Sequence, residues 1–137
     1  MNGSKSNAEL VVEALTAYQQ GDEETLRELM DPEVEIYAEP GMINAGRFTG
    51  FEGFKQWVSQ WEEAWDAASY EPLEFVEVDD RRLVVRVRVV GRGAGSGVEI
   101  DREFGYLYEI EDGRSTRYHL YDSAEKAIEA AHRLAEE

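Results

Sequence analysis

No cysteine occurs among the 137 residues. That excludes a disulfide framework, a thiol nucleophile and a thiolate metal site, and it agrees with a reducing compartment, so a cytoplasmic location is expected. Histidine is nearly absent too. His119 and His132 fall on different predicted elements, and with no His-x-x-x-His or mixed histidine and carboxylate cluster the chain offers no metal-ligand spacing; no metal and no cofactor are expected. Cations are scarce: 14 Lys and Arg face 30 Asp and Glu, a formal charge of −16. Such a chain repels phosphate backbones and lacks the counterion release that drives nucleic-acid binding, so nucleic acid is not an expected partner. The acids are spread along every element, as on a solvated surface. No apolar run approaches the roughly 20 residues that span a bilayer, and Met1 to Asn7 lacks the apolar core of a secretory leader. No membrane association is expected.

What is present reads as one domain, long enough to enclose a cavity without a metal or disulfide staple. Ser6-Asn7-Ala8-Glu9 has capping-box spacing, and Leu10, Val11, Ala14, Leu15 and Tyr18 form a helical stripe ending at Gly21. Asp22 caps a short second helix with Leu26, Leu29 and Met30 on one side, stopped by Asp31-Pro32. Val34 to Ala38 alternates as a strand, and a loop from Pro40 to Gly50 carries Met42, Ile43 and Phe48. Thr49-Gly50-Phe51-Glu52 again has capping-box spacing. Phe51, Phe54, Trp57, Val58, Trp61, Ala64, Trp65 and Ala68 then recur at three- and four-residue steps, which predicts one long amphipathic helix. Strands follow at about Glu74–Val78 and Leu83–Val90 around the turn Asp79–Arg82, and Gly91 to Gly97 bends into a longer strand. This strand turns at Asp112-Gly113 into the run Thr116–Asp122. Ser123 to Glu137 closes as a helix capped by Asp122 or Ser123. The order predicts an α+β domain: one curved antiparallel sheet wrapped around the long helix.

Alternation along the long strand puts Val98, Ile100, Arg102, Phe104, Tyr106, Tyr108 and Ile110 on one face and most of the acids on the other. Buried tyrosine hydroxyls need hydrogen-bond partners, so this row predicts a concave, partly polar pocket for a small apolar or aromatic ligand. Tyr18, Tyr37, Trp57, Trp61, Arg102, Phe104, Tyr108 and Tyr118 are its candidate walls. The glycine cluster Gly91, Gly93, Gly95 and Gly97 lies between strands with no helix after it, so it reads as a bend and not a phosphate loop. Glu39 ends the first strand on the face of Tyr37; it is either a desolvated general base at the pocket mouth or a solvated loop glutamate. Arg102 either stays inside with an acidic partner such as Glu39 or a substrate oxygen, or turns outward at a β-bulge. His119 shares its face with Arg117 and Tyr121, away from the wall of Tyr118. Asp122 reads first as a helix cap.

The chain resembles the SnoaL-like polyketide cyclases of the nuclear transport factor 2-like superfamily. The likeness rests on Gln20-Gly21-Asp22, Asp31-Pro32-Glu33-Val34-Glu35, Phe48-Thr49-Gly50-Phe51-Glu52-Gly53, Ser96–Ile100, Glu111-Asp112-Gly113 and Tyr121–Ala127. It implies a cone-shaped barrel with one deep pocket and a homodimer through the outer sheet face, on a fold that hosts isomerases, cyclases, hydrolases and non-enzymes. Glu39-Pro40 is similar to the Asp-Pro pair that supplies the base of ketosteroid isomerase, and Tyr106 falls near that family's protonated aspartate. The isomerase's oxyanion tyrosine aligns with Ala14, leaving Tyr18 one turn later. Limonene epoxide hydrolases carry Arg-x-Asp near Arg102, where this chain has Phe104. Two readings result. One is a cofactor-independent acid–base enzyme, isomerase or cyclase in type, in which Glu39 removes a proton alpha to a carbonyl and Tyr106 stabilises the enolate of a ring-bearing substrate. The other is a non-catalytic ligand-binding or scaffold protein.

Overall fold

The ladder of backbone hydrogen bonds joins six strands in the order β2-β1-β6-β5-β4-β3. In the computed structural model, which describes residues 6–42 and 45–136, these are β1 (Met30–Ala38), β2 (Gly46–Thr49), β3 (Trp65–Glu77), β4 (Arg82–Gly93), β5 (Glu99–Glu111) and β6 (Arg114–Tyr121). Four helices accompany them: α1 (Asn7–Gln20), α2 (Glu23–Leu29), α3 (Gly50–Glu63) and α4 (Ala124–Ala135). Neighbouring strands run antiparallel except β1 and β6, which are parallel. The sheet is therefore mixed, where sequence alternation had suggested an antiparallel one. It curls into a half-barrel, helped by register shifts at Trp65/Ala67, Pro72/Glu74 and Glu109/Ile110 that bend the long strands.

Local chemistry sets the ends of the elements. Ser6 and Glu9 complete the capping box of α1, and Gly21 closes it in the left-handed region at φ 70°. Asp22 caps α2 and Ser123 caps α4, each accepting a backbone N–H. Thr49, expected to cap α3, makes no side-chain cap bond. Asp112 and Gly113 both have positive φ, 52° and 77°, the geometry that lets a two-residue turn follow the twist of β5 and β6. The Pro40–Gly50 loop expected from sequence includes β2, which pairs with β1 through Ile36↔Phe48 and Tyr37↔Arg47; Ile43 lies outside the described residues.

The long helix is shorter than its periodicity predicts. α3 ends at Glu63, and Trp65 opens β3 opposite Gly93. The apolar spacing of Trp61, Trp65 and Ala68 suits a helix, but pairing to β4 along eleven residues of the strand outweighs that local preference.

The two faces of the sheet are buried differently. On the concave side α1, α2 and α3 cover Val34, Ile36, Leu83, Val85, Val87, Val89, Phe104 and Tyr106. On the convex side α4 lays Ala127, Ala130 and Ala131 against Val84 and Leu107. The outer face expected to support a dimer thus presents α4 itself over β4 and β5. Among the described residues no helix is long and apolar enough to cross a membrane.

Candidate functional site

A cavity of about 80 Å³ lies between the helices and the concave face. β5 and β6 aim Tyr106, Tyr108 and Tyr118 into it, because alternation puts these rings on the face opposite Leu107, Glu109 and His119. α3 contributes Trp57 and Trp61 one turn apart, stacked at 5.9 Å between centroids, and α1 contributes Leu15 and Tyr18. Tyr108 meets Tyr118 edge to face at 4.9 Å. The wall is apolar apart from phenols and indoles, and no carboxylate or imidazole among the described residues lines it.

Two hydroxyls are tied down. Tyr18 donates to Glu62 Oε2 at 2.8 Å, and Tyr70 accepts from Trp61 Nε1 at 2.6 Å. No described residue bonds the hydroxyls of Tyr106 and Tyr108; each residue is only 7% exposed, but neither oxygen is among the fully buried unpartnered atoms, so both open on the cavity. Burial raises the pKa of Tyr106, Tyr108, Tyr18 and Tyr70 and lifts Tyr118 to about 12. These phenols remain neutral donors at physiological pH.

Six of the expected site residues meet at this cavity: Tyr18, Trp57, Trp61, Tyr106, Tyr108 and Tyr118. Four do not. Phe104 packs edge-on against Trp61 at 5.7 Å as core beneath the wall. Arg102 keeps the inner face without a bulge, but it lies at the exposed end of β5 with its guanidinium 5.2 Å from the Phe104 ring centroid. Glu39 and Tyr37 stand on the convex side, since Ile36 and Ala38 take the inward positions of β1. Glu39 and Tyr106 are therefore separated by the sheet, and the pairing of base and donor expected from the isomerase does not form here. Tyr37 and Glu39 instead line a second cleft, of about 260 Å³, with His119, Tyr121, Ala130, Arg133 and Leu134.

The model of the SnoaL-like domain family matches residues 11–118. The chain belongs to the SnoaL-like domain family. No curated protein sequence matches it significantly. Among solved structures it is similar to TerC co-crystallised with polyporic acid, at 23% identity and a TM-score of 0.74, covering 96% of this chain and 98% of that one. A candidate polyketide cyclase from Sinorhizobium meliloti matches at 27% identity and 0.65, covering 82% and 93%. An NTF2-like protein from Burkholderia pseudomallei matches at 19% and 0.76, covering 92% and 97%.

In this SnoaL-like chain the sequence pattern left Tyr70 and Glu62 unnoticed. Tyr70 sits on β3 in a stretch whose spacing looked helical or irregular. Pro72, two residues on, was the available signal, because proline is tolerated on an edge strand and β3 is the sheet's edge. Glu62 is an exposed helix acid like many others; only its contact with Tyr18 sets it apart.

Proposed function

We propose that this SnoaL-like chain binds a small, flat, apolar ring compound bearing an acceptor oxygen. The observation that carries the reading is the pair of unpartnered hydroxyls on Tyr106 and Tyr108 in an otherwise apolar cavity. Hydroxyls that open on an apolar cavity and have no partner in the protein are free to donate to a ligand, and a ketone, quinone or lactone oxygen would accept from them. Size restricts the choice. A cavity of roughly 150 Å³ takes benzene, so the 80 Å³ here admits a single ring only if the wall yields.

The test is the thermal midpoint against single-ring ketones, quinones, lactones and polyporic acid. A ligand at 100 times its Kd adds about 2.7 kcal/mol, a shift readily read. Saturable stabilisation by an oxygen-bearing ring, lost in the Tyr106→Phe, Tyr108→Phe double variant, supports the reading; equal stabilisation by the matching hydrocarbons removes the role of the hydroxyls.

One observation favours an acid–base enzyme as a second reading. Tyr18 links the cavity wall to the Glu62 carboxylate, so a ligand proton could pass to the Tyr18 oxygen as the Tyr18 proton passes to Glu62. In that case Glu62→Gln abolishes isomerisation of a bound ring ketone while its affinity persists, and an unchanged rate rejects the relay.

A further inference from the structure

Glu109 is a charged residue at 8% exposure on the convex face, outside anything the cavity uses. Arg82 Nε lies 3.6 Å from one of its oxygens and Arg117 Nη1 3.7 Å from the other. Those two guanidiniums already offset the carboxylate. His119 nevertheless brings Nε2 to 2.8 Å from the same Oε2. Its ring stacks on Tyr37 at 5.1 Å between centroids and nearly parallel, and Arg47 lies 4.9 Å from the Tyr37 ring centroid with a 2.8 Å bond to the Tyr37 hydroxyl. With Nε2–H donated to Glu109, Nδ1 carries a lone pair. No described residue bonds it, and it is not among the buried unpartnered atoms. An imidazole oriented by a buried carboxylate, with its second nitrogen open at the wall of a cleft, has the geometry of a general base.

We propose that the convex cleft is a second site, where His119, positioned by Glu109, activates water for the hydrolysis of a small neutral ester. The lining sets the class. Ala130 and Leu134 offer an apolar wall for a short acyl chain, and the Tyr121 hydroxyl and Arg133 guanidinium offer donors to a carbonyl oxygen. Glu39 shares the cleft and disfavours an anionic substrate, since Arg133 is already paired with Glu129 at 3.2 Å. No serine or threonine lines it, so water is the nucleophile. In the step, Nδ1 takes a proton from water as the water oxygen bonds to the acyl carbon and the carbonyl π pair moves onto its oxygen. The adduct then restores C=O and breaks the bond to the alcohol oxygen, which takes the proton from the imidazolium. Acid and alcohol leave, and nothing is oxidised or reduced.

The probe is p-nitrophenyl butyrate, followed by release of nitrophenol. Saturable hydrolysis above buffer is expected, with kcat falling about 100-fold or more in His119→Gln, in the range of general-base contributions. His132→Gln, which removes an exposed imidazole of α4, leaves the rate unchanged. Glu109→Gln lowers kcat and moves the pH profile, a readout that loss of packing alone would not give; Tyr37 stacked on the imidazole, Arg47 on Tyr37, Arg82 and Arg117 on residue 109, and Glu39, Tyr121 and Arg133 in the cleft are the other charged or titratable groups around it and remain in place. If either variant fails to fold, imidazole NMR of the unaltered protein decides: a short methyl ketone, as the unreactive stand-in for the ester, shifts the His119 resonances and spares those of His132. Hydrolysis no faster than buffer, full activity in His119→Gln, or an unmoved His119 signal each overturns the proposal.

Discussion

Tyr106 is asked to do two things with opposite energetic signs. Its ring is core, and its hydroxyl, which is not among the fully buried unpartnered atoms, opens on the cavity with no partner in the protein. Removing the hydroxyl therefore breaks no bond within the protein and stabilises the ligand-free form slightly, while it weakens binding of an oxygen-bearing ring by about 1 kcal/mol, on the scale of one hydrogen bond. Opposite shifts of the free and liganded melting midpoints in Tyr106→Phe check this; a loss in both would mean the hydroxyl serves the fold. The phenols also set a limit at high pH. Their folded pKa values lie above the ordinary 10.0, so the folded state holds protons that the unfolded chain gives up. Stability from this source is full below pH 10 and falls as pH rises beyond it. Phenolate absorbance of the cavity tyrosines is expected to appear together with loss of helical circular dichroism, and its appearance in a still-folded protein would contradict their burial.

At the scale of elements, the convex packing of α4 depends on how closely it approaches β5. A Cβ on Gly105 would sit 2.5 Å from Ser123 O and 2.6 Å from Ala124 Cα, both backbone atoms. Gly105→Ala is expected to push the start of α4 outward and to cost about 1–3 kcal/mol, typical of overpacking, read from denaturant midpoints at unchanged slope. The capping signals of α1, α2 and α4, the Asp112-Gly113 turn and the alternation of β5 were legible in sequence because each is a local preference that the fold obeys, whereas the capping signal at Thr49 forms no cap bond. So was the separation of His119 from Tyr118. The face of Glu39 was not, because alternation fixes which residues share a side of β1 but not which side is concave; only the inward Val34, Ile36 and Ala38 decide it. The end of α3 was hidden for a different reason: Trp65 and Ala68 satisfy a helical spacing, and long-range pairing to β4 overrides it. Tyr70 was lost with them.

Over the whole molecule, the formal charge of −16 acts against rows of opposite charges on β3, β4 and β5. Arg86 bonds Glu103 at 2.8 Å and reaches Glu74 and Glu125, and Arg88 takes Asp101 through two bonds of 2.8 and 2.6 Å. These pairs are exposed, so each contributes little, and salt weakens them. The repulsion among the unpaired acids is larger in number and is screened by the same salt. At neutral pH the screening of repulsion wins, and the melting midpoint is expected to rise from low to physiological ionic strength. Acid acts through a separate route. The bond from His119 holds Glu109 below the ordinary 4.5, Arg88 lowers Asp101, and Lys126 lowers Asp122. A depressed folded pKa means stability that is complete above the unfolded value and is lost as pH falls through it and on to the folded one. The fold should therefore hold between pH 7 and 5 and weaken below about 4.5. Glu109→Gln, if folded, has a lower midpoint at pH 7 but a shallower fall below that pH, because its contribution is already gone. Parallel acid profiles for the variant and the original protein would remove Glu109 from the account and leave the exposed carboxylates to explain the loss.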